Sequence, residues 1–148
     1  MNNTLTVGKT PLIPLEIDGV LIWGKAEFMN PSGSVKDRPI HNILKRAFEN
    51  GLLKKGDTVV EATSGNAGIS LAMYCAQEGY KCVIVMPSNM SEERKQMLRL
   101  YGAELIEVGA GDFDGAIRYR NELSEKNGWY NCNQFESKWN IEAHREGT

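Results

Sequence analysis

The sequence predicts an α/β protein built on an open parallel sheet with helices on both faces. Short strand patterns alternate with helical patterns between residues 58 and 132, which is typical of parallel strands joined by right-handed crossover helices. Segment 81–86 is apolar on both faces, as expected for a strand inside such a sheet. Gly79, Gly102 and Gly128 follow helical stripes, where glycine can end a helix.

The first predicted element is a β-hairpin. Apolar runs at residues 12–17 and 20–23 flank Asp18-Gly19, a strong turn signal because glycine accepts a positive φ. Pro14 indicates an edge position, since proline cannot donate a ladder hydrogen bond. A lone hairpin is marginal in water, so we expect it to pack on another part of the protein.

A loop rich in Pro, Gly and Ser, residues 30–38, follows the hairpin. Pro39 suits the first turn of a helix, whose apolar stripe continues to Asn50-Gly51. We therefore predict two parts: residues 1–38, with the hairpin and the loop around Lys36, and residues 39–148, a small α/β domain.

The remaining chain alternates strands with helices. Strands are predicted at 58–61, 81–86, 104–108 and 129–132. The helices between them carry three apolar stripes: Ile69, Ala72, Met73 and Ala76; Met97, Leu98 and Leu100; Phe113, Ala116, Ile117 and Leu123.

Composition narrows the class of protein. The chain has 148 residues and a net charge of −2, which gives no general attraction to nucleic acid or anionic membranes. No apolar run approaches the roughly 20 residues of a membrane span, and the N-terminus lacks the features of a secretory signal. Cys75, Cys82 and Cys132 have no metal-ligand spacing, so we expect buried thiols and a cytoplasmic protein.

The most informative polar segment is 62–68, at the carboxyl end of the first sheet strand. Ligands of open parallel sheets bind beyond these ends, and small residues before a helix leave N–H groups that can bind an anion. Thr63 and Ser64 add hydroxyl groups, and Asn66 adds an amide. The alternative interpretation is an ordinary helix cap and tight turn.

Other candidates are weaker. Gly109-Ala110-Gly111 has the wrong glycine spacing for a dinucleotide loop and is predicted to be a βα turn. His41 lies opposite an apolar stripe and is expected to be exposed; neither it nor His144 indicates a metal site. Lys36 is either an ordinary surface lysine or, if partly buried, an amine nucleophile; spacing leaves both open.

Four segments, taken together, resemble the fold-type II pyridoxal-phosphate enzymes, and among them the cysteine synthases of the B-type and O-phosphoserine-using branches. They are 30–39, 61–72, 86–94 and 101–105, and the resemblance runs from Gly8 to Thr148. It implies the N-terminal part of a tryptophan synthase β-like fold. It also implies the cofactor pyridoxal 5′-phosphate, an amino-acid substrate, a sulfur donor and a homodimeric complete enzyme.

The resemblance also implies roles for individual residues. Lys36 would hold the cofactor covalently and act as general base, and Asn66 would hydrogen-bond the cofactor's 3′-oxygen. The remaining residues would bind the substrate carboxylate: Thr63, Ser64, Gly65, Ala67 and Gln134. The expected reaction is β-replacement on O-acetylserine or O-phosphoserine, with sulfide giving L-cysteine.

Two departures from the family pattern keep alternatives open. Ala67 stands where the family usually has threonine, so a serine or threonine dehydratase is one alternative. The family continues into a second half that carries its phosphate cup and on which the hairpin would pack. The chain is therefore expected to be the N-terminal half of such an enzyme, or a non-catalytic α/β module.

Overall fold

A four-stranded parallel sheet organises the chain in the computed structural model, which describes residues 6–148. Its strands are β3 (Thr58–Ala62), β4 (Lys81–Pro87), β5 (Glu104–Val108) and β6 (Tyr130–Asn131), in the order β5-β4-β3-β6. The predicted open parallel sheet is confirmed, with strand ends within two residues of those expected.

Five α-helices within residues 6–148 flank or follow the strands. They are α1 (Asp37–Glu49), α2 (Asn66–Glu78), α3 (Glu92–Leu100), α4 (Phe113–Asn127) and α5 (Lys138–Gly147). Pro39 is the third residue of α1, inside its first turn as predicted, because the first N–H groups of a helix need no intrahelical acceptor. The predicted division at residue 38 falls in this turn and stays a prediction.

The core lies on both faces of the sheet. Along β4, Ile84 and Met86 face the larger apolar cluster with α1 and α2, whereas Val83 and Val85 face a smaller cluster with Ala116 of α4. This alternation explains why β4 is apolar throughout.

The hairpin forms as predicted from β1 (Leu12–Ile17) and β2 (Val20–Lys25), which pair antiparallel. Gly19 has a φ of 77° at the turn, a conformation that glycine adopts without strain. All six residues of β1 and the first four of β2 are exposed. Among the described residues, nothing therefore covers either face of this hairpin.

Two local features differ from the sequence prediction. His41 is not simply exposed: it is half-buried, and its ring centroid lies 5.4 Å from that of Tyr74, because the α1 stripe is wider than the apolar residues alone suggest. Helix α5 was not predicted. It packs on α1, where Asn42 Nδ2 donates to the carbonyl oxygen of Trp139 at 2.8 Å.

The remaining expectations concern the cysteines, membrane-spanning helices, metal ligands and a secretory signal. Cys75, Cys82 and Cys132 are buried free thiols, as predicted. In the part of the chain that the structure describes, no helix is both long and apolar enough to cross a membrane. Within residues 6–148, no cluster of His, Cys, Asp or Glu could hold a metal ion. The expectation about a secretory signal concerns the first seven residues, most of which lie outside the described range.

The ion pair of the buried Arg38 with the partly buried Glu27 joins the segment after the hairpin to α1. Glu27 Oε2 lies 2.6 Å from Arg38 Nε, and Oε1 lies 2.8 Å from Arg38 Nη2. The hydrogen bonds from Arg38 are the main reason that the pKa of Glu27 is lowered to about 2. Partial burial opposes this shift, and the hydrogen bonds from Thr10 and Asn30 add to it.

Because of the Glu27–Arg38 pair, we expect the free energy of unfolding to fall in acid. The depressed pKa of Glu27 gives a contribution that is complete above about pH 4.5 and disappears as pH falls toward about 2. We expect the Glu27 part of this loss to be about 2 kcal/mol, measured by urea unfolding at several pH values. Glu27→Gln should flatten the profile, whereas Glu49→Gln, at an exposed glutamate, should not. Equal slopes in both variants would contradict the assignment.

Candidate functional site

A pocket of about 200 Å³ lies at the carboxyl ends of β3 and β4. Residues from four separate segments line it: Ala62, Thr63, Ser64, Gly65, Pro87, Phe113, Ala116, Ile117 and Phe135. One wall is therefore the polar turn between β3 and α2, and the opposite wall is apolar and comes largely from α4.

The sheet topology explains why the pocket forms here. From β3 the chain moves outward to β4 and β5, and α4 then returns it to β6 on the other side of β3. The strand order therefore reverses at β3, which has β4 on one side and β6 on the other. In open α/β sheets, ligands bind at this switch point, beyond the carboxyl ends of the strands.

The turn Thr63-Ser64-Gly65 leads directly into the N-terminus of α2. Thr63 N donates to the carbonyl oxygen of Val85 at 3.1 Å, which fixes the turn to β4. A Cβ at Gly68 would lie 2.9 Å from Thr63 Cγ2, so glycine lets the helix approach the turn closely. Gly65 caps the helix without a side-chain hydrogen bond. The turn thus offers hydroxyl groups and a helix N-terminus, which suit a carboxylate.

Gln134 lies beside this turn, in the loop after β6. It is almost fully buried, its N–H donates to Glu61 Oε2 at 2.9 Å, and its carbonyl oxygen accepts from Asn140 Nδ2 at 2.7 Å. The next residue, Phe135, lines the pocket. The structure therefore brings Gln134 into the same region as Thr63, Ser64 and Gly65.

Lys36 lies at the start of α1 and is half-buried, which is the condition that its sequence context sets for an amine nucleophile. Its N–H donates to Ser34 Oγ at 3.2 Å. The neighbouring Asp37 carboxylate accepts from Ser32 N at 2.7 Å and from Ser70 Oγ of α2 at 2.7 Å. Asp37 thus ties the loop that carries Lys36 to the helix that begins with Asn66.

The predicted residues are not all in one place. Thr63, Ser64 and Gly65 line the pocket. Asn66 is exposed on the first turn of α2, while the methyl group of Ala67 packs in the larger core cluster. The roles given to these residues, to Gln134 and to Lys36 stay predictions.

Sequence reasoning missed the apolar wall and one nearby imidazole. Phe113 was expected to be part of a core stripe, yet it is about half exposed and lines the pocket, which the position of α4 after a strand end could have indicated. The pKa of His144 is lowered, mainly because the imidazole is partly buried and secondly because the positive charge of Lys36 is near. His144 lies on the unpredicted helix α5, so no pattern linked it to Lys36.

Two other features do not suit a catalytic role. The pKa of the Cys132 thiol is raised, mainly by burial and secondly by the Glu61 carboxylate, which keeps the thiol protonated rather than nucleophilic.

A larger cavity of about 450 Å³ lies between α1 and α5, lined by cations such as Lys9 and by acids such as Glu146. Its Arg38 is already paired with Glu27, so the lining favours no class of ligand.

The groups of this region suit the cofactor that the sequence motifs imply. The half-buried primary amine of Lys36 can bind an aldehyde, and the exposed amide of Asn66 can bind a hydroxyl oxygen attached to an aromatic ring. The turn at the N-terminus of α2 can bind a carboxylate. Comparison with known proteins agrees. A sequence model of the family "Pyridoxal-phosphate dependent enzyme" matches residues 4–148.

Individual relatives give the same result. Cysteine synthase of Staphylococcus aureus (strain Mu50 / ATCC 700699) is 43% identical over 148 residues, which cover 97% of this chain and 48% of the relative. The crystal structure of O-ureido-L-serine synthase superposes with a TM-score of 0.92 at 41% identity, covering 96% of this chain and 46% of that one.

A hydrogen sulfide-producing enzyme from Fusobacterium nucleatum gives a TM-score of 0.88 at 41% identity, covering 95% of this chain and 48% of that enzyme. The chain thus spans about half the length of the relatives that it matches.

Proposed function

The chain belongs to the family of pyridoxal-phosphate dependent enzymes, and we propose that it serves β-replacement on an activated L-serine, as in a cysteine synthase. The observation that carries the proposal is the placement of Thr63-Ser64-Gly65 at a switch-point pocket, next to the helix that Asp37 ties to the Lys36 loop. We further propose a cytoplasmic homodimer that takes a sulfur donor.

The polar turn would bind and orient the substrate. Hydroxyl groups of Thr63 and Ser64 and the N–H groups at the start of α2 would hold the α-carboxylate, with Gln134 on the other side. The substrate side chain would then point toward the apolar wall at Phe113 and Phe135.

Lys36 would move the proton. Its Nζ would take the α-proton of the bound amino acid and later return a proton to Cα. The bound cofactor supplies an electron sink for the deprotonated α-carbon. The Cβ–O bond breaks as acetate or phosphate leaves, and the sulfur donor forms the new Cβ–S bond.

The test is to trap the cofactor on the chain. Pyridoxal phosphate is added, the mixture is reduced with borohydride, and the modified lysines are mapped by mass spectrometry. We expect most of the label on Lys36 and none of this site-specific label in Lys36→Ala. Lys45→Ala, which removes a half-exposed lysine of the same helix, should keep the labelling of wild type.

Label spread over exposed lysines in both wild type and Lys36→Ala would contradict the role of Lys36 and favour a non-catalytic module. If Lys36 is labelled, O-acetyl-L-serine and sulfide are added to a second sample of chain and pyridoxal phosphate that has not been reduced. Cysteine is the expected product; pyruvate without cysteine would instead select the dehydratase alternative that Ala67 leaves open.

A further inference from the structure

We propose that Glu61, paired with Arg120, is a positioning residue that fixes the three segments around the pocket relative to one another. The side chain of Glu61 is fully buried at the end of β3, immediately before the pocket-lining residue Ala62. The inference rests on the proposed function, because it concerns the carboxylate site assigned there.

The two oxygens of the Glu61 carboxylate together contact three segments. Oε1 accepts from Ala62 N at 2.8 Å, at the start of the polar turn, and from Arg120 Nη1 of α4 at 2.8 Å. Oε2 accepts from Gln134 N at 2.9 Å, in the loop after β6. The polar turn, the apolar wall and the Gln134 loop therefore share one buried anion.

Arg120 extends the same network along α4. It lies one helical turn after Ala116 and Ile117, which line the pocket. Its Nη2 also donates to Asn121 Oδ1 at 2.9 Å, and that oxygen accepts from Asn131 Nδ2 of β6 at 3.1 Å. The guanidinium thus holds α4 against β6 as well as against β3.

Stability alone is a poor explanation for this pair. A fully desolvated ion pair gains little over apolar residues of the same volume, because desolvation offsets the attraction between the charges. What apolar residues cannot do is accept two backbone N–H groups from separate segments, here those of Ala62 and Gln134. An amide cannot do so either, because its NH₂ group would face one of these donors.

The experiment compares Glu61→Gln with a variant of similar stability loss. Leu53→Ala opens a cavity in the larger core cluster, which is not the cluster beside the pocket. Backbone amide NMR signals of Ser64, Gly65 and Phe135 are recorded for the full 148-residue chain, and O-acetyl-L-serine is then titrated. Glu61→Gln should displace these signals and weaken binding about tenfold, the factor for one lost hydrogen bond. Leu53→Ala should leave the positions of these amide signals and the affinity for O-acetyl-L-serine unchanged.

A double variant keeps the test decisive if Glu61→Gln does not fold. Glu61→Gln with Arg120→Gln leaves no uncompensated buried charge, yet Gln134 N–H still loses its carboxylate acceptor. Site signals at wild-type positions in a folded variant would overturn the inference. The two proposals can fail separately. If the variant displaces the site signals but O-acetyl-L-serine shifts no signal of the wild type, the positioning role is supported and the proposed function is contradicted.

Discussion

Replacing Asp37 by alanine is expected to lower the free energy of unfolding by about 3 kcal/mol. The carboxylate is fully buried and accepts hydrogen bonds from the N–H and hydroxyl of Ser32 and from Ser70 Oγ. Alanine leaves these donors without their acceptor, and a buried donor that loses its partner costs about 1–3 kcal/mol.

Urea unfolding followed by circular dichroism measures this loss, because the midpoint and slope give the free energy for a small domain. Asp57→Ala is the matched control. Asp57 Oδ2 also accepts from a backbone N–H at 2.7 Å, that of Lys54, but in an exposed turn where water can replace it. We expect the control to lose less than about 1 kcal/mol.

The same substitution should affect the Lys36 loop. Without Asp37, nothing in this network holds Ser32 against Ser70, so α1 and α2 lose a connection next to Lys36. Pyridoxal phosphate labelling of Lys36 should then fall even under conditions where the variant is folded. A variant within about 0.5 kcal/mol of wild type, with unchanged labelling, would contradict this account.

The fold was largely predictable because its signals are local. Alternating strand and helix patterns, the Asp18-Gly19 turn and the glycines after helices each depend on a few neighbouring residues. Helix α5 was not predicted because Ala143 is its one buried residue, so its apolar stripe is weak. Its position depends on packing against α1, which short-range patterns do not encode.

The site was predictable only in part, for a related reason. The turn at Thr63-Ser64-Gly65 could be located because strand ends and helix starts are visible in sequence. The polar contacts that place it join distant positions: Asp37 with Ser70, and Glu61 with Gln134. Charge and polarity mark such residues as unusual in a core, but nothing in the sequence indicates which partners satisfy them.

The second large effect concerns the hairpin. Strand register places Ile13, Leu15 and Ile17 on the same face as Val20 and Ile22, so this face is apolar throughout. The opposite face is mixed, because it carries a glutamate and a lysine. These apolar side chains are between about a third and two-thirds exposed, and a contiguous exposed apolar patch of this kind is typical of an interaction surface.

We therefore expect the 148-residue chain to self-associate through the apolar face of the hairpin. Burying a large aliphatic side chain contributes about 1.5–3 kcal/mol, so Ile22→Thr should weaken association by about tenfold or more. Sedimentation velocity over a range of concentrations measures this. The free energy of unfolding of the monomer should change by less than about 0.5 kcal/mol, because Ile22 is exposed.

Leu21→Thr is the matched control, since Leu21 is similarly exposed but lies on the mixed face. It should leave association close to that of wild type. Equal effects of the two substitutions would mean that general hydrophobicity, rather than one face, drives contact. A monomer at all concentrations would contradict the prediction outright, because the hairpin face would then be stable in water without any partner surface.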